Sequence, residues 1–312
     1  MIRRFFALYA IALIAFAASS CQKELGPNGR LTDVRISVAM PELESKGISD
    51  GESADIVYWA GFDENGSPVD GLNGTASVSG MHASFDVKLV KHYTYSFVFW
   101  AQDSDCKAYD LREFVDYGKV GVSYEGAAND ESRDAFYKQE DITITSADEV
   151  KTIRLSRPFA QINFLAADYQ SIEDVDLQST LQSTVSIAGL PTVLNGLDGT
   201  VSGEASTSFT AAAVPADPAY MTVRNEKTYG WYSMNYVLAG DEKKLNEVTA
   251  SFTHAKSVTP IEVLVENVPY RRNHRTNIIG SFLTDFAEVK VVIMNGFDDP
   301  AYNVDEEGNP IL

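Results

Sequence analysis

Polar and apolar residues alternate along much of the chain. In "LTDVRISVAM", Val34, Ile36, Val38 and Met40 fall on one side of an extended backbone, and Asp33, Arg35, Ser37 and Ala39 fall on the other. "HYTYSFVFWAQ" places Tyr93, Tyr95, Phe97 and Phe99 on one face. "PIEVLVENV" sets Ile261, Val263 and Val265 opposite Glu262 and Glu266, and "EVKVVIM" alternates Val289, Val291 and Ile293. A period of two is that of a half-buried strand. Turn chemistry separates the runs at Glu64-Asn65-Gly66-Ser67-Pro68, Leu72-Asn73-Gly74-Thr75, Asn195-Gly196 and Asp198-Gly199-Thr200. Long helical periodicity is missing, and Asp130 to Gln139 is the one stretch expected to hold a short helix. Many short strands joined by Gly/Asn turns predict an all-β chain of antiparallel sandwiches.

The length suggests two domains of ordinary size. "ADEVKTIRLSRPFAQINF" reads as the crossover between them, near Arg154 to Pro158. The expected division is a sandwich over 21–155, a second over 156–297 and an acidic tail over 298–312. No low-complexity linker intervenes, so the two are expected to sit rigidly together.

Residues 1–20 form a separate unit. Arg3 and Arg4 precede an apolar run from Phe5 to Ala18, and Ala17, Ala18, Ser19 and Ser20 lead into Cys21. Basic, apolar and small-residue segments in that order make a secretory signal, and the run is shorter than the ~20 residues of a membrane span. A cysteine directly after small residues resembles the bacterial lipobox. That resemblance implies acylation of Cys21, with the mature chain starting there. Several acyl chains, at about 0.8 kcal/mol per buried methylene, hold a protein to a membrane durably.

Charge narrows the function. With 25 basic against 44 acidic residues the chain carries −19, which argues against nucleic acid as a partner. Cys106 has no partner once Cys21 is acylated, so no disulfide framework is available. Stability must come from apolar cores, which 16 Phe and 15 Tyr supply.

Catalytic and metal chemistry finds no foothold. His82, His92, His254 and His274 show no metal spacing, and His92, at the start of an aromatic strand, reads as structural. The nucleophile elbow, phosphate loop and dinucleotide fingerprint are all missing. Asp63, Asn65, Ser67 and Asp70 make a calcium-like row, but the glycine is misplaced and the last glutamate is missing, so a hairpin turn is expected. Neither a catalytic residue nor a cofactor is assigned, and the chain is not expected to be an enzyme. Trp59, Trp100 and Trp231 would suit a glycan-stacking platform, yet they lie in strand-like runs that favour a core role. Arg271, Arg272, His274 and Arg275 in "VPYRRNHRTN" break the acidic rule; a solvated loop is preferred to a docking patch for an acidic surface.

Taken in order behind the signal, several segments resemble one family. "YSFVFWAQ", "LSRPFAQINF", "IAGLPTVLNGLDGTVSG", "FTAAAVP", "YSMNYVLA" and "VPYRRNHRTNIIGSFLT" are similar to signatures of the fimbrillin-like lipoproteins, the type V pilins of Gram-negative anaerobes. The resemblance implies two β-sandwiches of transthyretin-like topology. It also implies a lipid-anchored precursor on the outer membrane surface, cut by a trypsin-like or arginine-specific protease after its first strand. That strand, with Val34, Ile36, Val38 and Met40, would leave a groove, and a strand from another fimbrial subunit would fill it by β-augmentation. Lys46 stands where members of the family carry arginine, so a trypsin-like enzyme can cut here and an arginine-specific one cannot. An uncut, anchored accessory protein or glycan-binding lipoprotein is the alternative that this departure leaves open.

Overall fold

The computed structural model describes residues 30–41, 50–126, 128–146, 149–168, 182–211, 221–224, 227–253, 259–282 and 289–293. The first half contributes β1 (Leu31–Ala39), β2 (Ile56–Phe62), β3 (Pro68–Ser77), β4 (His82–Val90) and β5 (Thr94–Gln102). They are followed by β6 (Tyr109–Asp110), α1 (Phe114–Tyr117), β7 (Lys119–Val122), β8 (Phe136–Thr143) and β9 (Glu149–Arg154). The alternation is realised as read: Val34, Ile36 and Val38 are buried along β1, and Met40 is buried just beyond it.

Two sheets, ordered β4-β1-β9 and β3-β2-β5-β8, face each other across one apolar core. Strand β5 runs between β2 and β8 and is buried on both sides. Phe97 and Phe99 point into this core, while Val98 and Trp100 point into the second.

The chain crosses over between Arg154 and Phe159. The second half forms β10 (Phe159–Ala166), β11 (Gln182–Leu190), β12 (Val193–Asn195), β13 (Val201–Ser202), β14 (Ala205–Ala211) and β15 (Met221–Arg224). It continues with β16 (Lys227–Leu238), β17 (Lys243–Thr253), β18 (Ile261–Tyr270), β19 (His274–Gly280) and β20 (Val289–Ile293). Sheets β15-β16-β10-β19-β20 and β14-β11-β17-β18 enclose the second core, with β10 buried along its whole length. Pairing is antiparallel apart from β1 with β9 and β10 with β19, which are parallel.

A small sheet, β13-β12-β7-β6, joins the halves through Leu194 opposite Val120. There Gly196 N–H donates to the Gly118 carbonyl at 2.8 Å, and a Cβ on Gly196 would lie 2.4 Å from that oxygen. Asn195-Gly196 is therefore a close approach between halves as well as a turn.

Two local expectations are corrected. Asp130 to Gln139 is not helical beyond a single 3-10 turn at Glu131–Arg133, which Asp130 caps by accepting from Ser132 N–H at 3.1 Å. Phe136 and Tyr137 then enter β8 and pair with β5, because both aromatics gain burial there. Leu72-Asn73-Gly74-Thr75 is not a turn but lies inside β3. Gly74 is opposite Trp59, and a Cβ at that position would lie 2.9 Å from Trp59 Cζ2. The glycine leaves room for the indole rather than for a bend.

Candidate functional site

The first strand is the middle strand of its sheet. All nine residues of β1 pair with β4, from Leu31 opposite Val90 to Ala39 opposite His82. On its other edge, Val34 to Ala39 run parallel to Glu149 to Arg154 of β9. Met40 N–H donates to the Met81 carbonyl at 3.0 Å, and Leu155 N–H donates to the Ala39 carbonyl at 2.9 Å. Among the described residues, β1 alone separates β4 from β9 in this sheet. Taking β1 away would uncover two rows of backbone donors and acceptors facing each other across one strand width.

The inward face of β1 closes the core. Val34, Ile36, Val38 and Met40 share a cluster with Tyr95, Phe97 and Phe99 of β5 and with Phe136 of β8. Each such side chain contributes about 1.5–3 kcal/mol when fully buried. Trp59 stacks on Phe85 with ring centroids 4.4 Å apart, and Phe97 stacks on Phe99 at 5.9 Å. The Tyr95 hydroxyl accepts from Val90 N–H at 3.3 Å, and burial pushes its pKa up.

The outward face carries charge instead. Arg35 holds Asp86 by two bonds of 2.9 and 3.0 Å, and Lys88 meets Asp33 at 2.8 Å. The Arg35 hydrogen bond keeps the Asp86 carboxyl below its ordinary value. These pairs are exposed, so they set register more than stability. Chemically the site does one thing: it holds an extended segment with apolar residues at alternate positions, antiparallel to β4 and parallel to β9.

The other candidate residues fall elsewhere. Cys21, Lys46 and His254 lie outside the described residues. Cys106 is a buried free thiol whose pKa burial raises. Trp59, Trp100 and Trp231 are all buried, so they offer no stacking platform at the surface. Asp63 behaves as a turn residue, its Oδ1 accepting from Asn65 and Ser67 N–H at 2.9 and 2.8 Å. Among the described residues no group of His, Cys, Asp or Glu could hold a metal ion. His82 and His92 are exposed, and His92 adopts a left-handed φ of 62° before β5.

The basic cluster is not a free solvated loop, because all four of its residues are partly buried. Arg272 Nε donates to the Ala239 carbonyl at 3.0 Å, Nη2 donates to the Gly199 carbonyl, and the guanidinium lies 5.6 Å from the Tyr137 ring centroid. Burial lowers the Arg272 pKa. Tyr137 belongs to β8, and its hydroxyl donates to the Gly196 carbonyl at 2.8 Å. Burial pushes that hydroxyl up to about 12. Arg275 lies 5.7 Å from the Trp231 ring centroid. A pair the sequence did not signal sits nearby: Arg157, at the crossover, binds Asp134, 23 residues away, with no spacing or motif to announce it.

No curated protein matches the chain. A structure from Bacteroides uniformis ATCC 8492, described as a candidate cell adhesion protein, is 12% identical with a TM-score of 0.51, over 86% of this chain and 99% of its own. A fimbrial assembly protein from Parabacteroides distasonis ATCC 8503 is 14% identical with a TM-score of 0.48, over 87% of this chain and 97% of its own. The tip fimbrial protein Mfa3 from Porphyromonas gingivalis, truncated at its C-terminus, is 11% identical with a TM-score of 0.45, over 85% and 99%. The first of these likenesses shows a shared fold. The model of a family of unknown function, DUF6562, matches residues 62–310, which is most of the chain, and the chain belongs to that family.

Proposed function

We propose that this chain is a structural subunit of a cell-surface fimbria or adhesive fibre, joined to its neighbours by exchange of the first strand. One observation carries the reading: the first strand, which precedes the segment with Lys46, is the central member of its sheet and, with Met40 just beyond it, lends four apolar side chains to the core. A placeholder of this kind is replaced by any segment with the same alternation, with backbone bonds giving affinity and side-chain pockets giving selectivity. The fold shared with the Bacteroides uniformis protein described as a candidate cell adhesion protein supports a surface role. Acylation at Cys21 would anchor the precursor, and a trypsin-like cut after Lys46 would free β1.

The donor in this reading comes from a different subunit. Within this chain the alternating segment Val289–Ile293 is already paired as β20 along β19, over five residue pairs. Donating it would open the second sandwich.

The test uses protein cut after Lys46 and separated from the released fragment. A synthetic peptide of the sequence LTDVRISVAM should bind it, and light scattering should show larger species when candidate subunits are added. A cut chain that stays folded and monomeric, and takes up neither peptide nor subunit, would rule strand exchange out.

A further inference from the structure

A cavity of about 490 Å³ opens where the turn before β13 meets the ends of β16 and β18, within the size range of small-ligand sites. Lys243, Arg271 and Arg272 line it, together with Asp198, Thr200 and Asp241. Three cations around one hollow are unexpected in a chain of net charge −19. Among the described residues none of the three lies within ion-pair distance of a carboxylate. Arg272 spends its bonds on two carbonyls. Arg271 donates to His274 Nε2, whose Nδ1 donates to the Arg272 carbonyl at 2.6 Å. Three cations face two carboxylates, Asp198 and Asp241, so the lining keeps a small positive balance with no cation held in a direct ion pair among the described residues, which favours an anion of low charge in a partly enclosed space.

The two carboxylates on the rim decide which anion. Asp198 and Asp241 would repel an acidic peptide or a multiply charged phosphate, but they accept hydrogen bonds from hydroxyls. Asp198 already does so, taking Thr200 Oγ1–H at 2.6 Å. We propose that this cavity binds a carboxylated sugar, such as a uronic acid unit of an acidic glycan. Its carboxylate sits between Arg271 and Lys243, and its ring hydroxyls reach Asp198 and Asp241. The site stands whether or not β1 ever leaves its sheet, so its failure would not touch strand exchange.

Titration calorimetry on the full, uncut chain tests it, with D-galacturonate as probe and galactose, acetate and inorganic phosphate as comparisons. Galacturonate should bind at least about tenfold more tightly than any of the three, a difference of about 1.4 kcal/mol. Lys243→Ala and Arg271→Ala should each weaken it by about tenfold or more, with the melting temperature held. Lys243→Arg should keep binding and shows that the charge, not the fold, is read. Equal affinity for acetate or phosphate would reduce the site to a general anion patch and overturn the proposal. So would the absence of heat at about 10 mM galacturonate, or variants that bind as well as the parent.

Discussion

Arg157 and Asp134 make a two-point ion pair with both side chains shut off from solvent: Nε to Oδ1 at 2.7 Å and Nη2 to Oδ2 at 2.8 Å. The guanidinium also lies 4.7 Å from the Phe136 ring centroid, and the Arg157 N–H donates to Asn273 Oδ1 at 3.3 Å. The pair therefore sits where the crossover, β8 and the β18–β19 turn converge. Removing one partner leaves a buried charge uncompensated, at a cost of about 3–5 kcal/mol, whereas replacing both with apolar residues is far milder. Asp134→Ala should lower the unfolding free energy measured in urea by that much, and Asp134→Leu with Arg157→Met should recover most of it. A single variant as stable as the parent would refute the claim.

The two faces of β1 should respond differently to truncation. Ile36 is fully buried against the aromatic wall, so Ile36→Ala should cost about 2–5 kcal/mol. Arg35 pairs with Asp86 in the open, so Arg35→Ala should cost less than about 1 kcal/mol. Denaturant melts of the two variants compare them directly. Equal losses would mean that β1 is held by its rim and not by its plug.

Proteolysis separates the segment after β1 from the crossover. Trypsin should cut first after Lys46, in the polar stretch of sequence between β1 and β2. Arg157 should resist, since its side chain is fully buried, and Arg154 is tied into β9 beside β1. Mass spectrometry of a timed digest reads the order. A first cut at Arg154 or Arg157 would show that the crossover opens more easily than the segment around Lys46.

Much of this arrangement was legible because a strand buried on one face writes a period of two. Val34 to Met40 and Ile261 to Val265 are of that kind, and the turn expected at Asp63 is present, its Oδ1 accepting from Asn65 and Ser67 N–H. The limits appear where burial is two-sided or long-range. Val98 and Trp100 look like the polar side of β5 by position, yet they face the second core, which alternation alone cannot announce. Gly74 follows an asparagine and imitates a turn, but its reason is Trp59, fifteen residues back and reached only through strand pairing. The partners of Arg272 come from β8, the turn after β12 and the end of β16, so its role was invisible until the halves were brought together.

Membrane attachment rests on Cys21 alone in this reading. Cys21→Ser should move the protein from the outer-membrane fraction to the soluble one, because a durable anchor needs more than one acyl chain and the serine accepts none. Fractionation with phase partitioning in detergent measures the shift. Continued partition into the detergent phase would show a second means of attachment.

Alkali should unfold the chain through its buried tyrosines. Burial raises the pKa of Tyr109, Tyr124, Tyr137 and Tyr232, and brings Tyr137 to about 12. An unfolded tyrosine titrates near ~10. Below that value both states keep the phenolic proton and stability does not change. Above it the unfolded chain gives up protons that the folded chain retains, so stability falls as pH rises toward the folded values, by up to about 1.4 kcal/mol per pH unit for each such group. Urea midpoints taken from pH 8 upward should hold steady to about pH 10 and then drop steeply, with tyrosinate absorbance appearing together with unfolding. Tyr137→Phe removes one of these groups and also the hydroxyl bond to the Gly196 carbonyl. It should start less stable at neutral pH and lose stability more slowly above about pH 10, by roughly one proton in slope. Tyrosinate absorbance that develops fully while the fold stays intact would show that these hydroxyls are open to solvent.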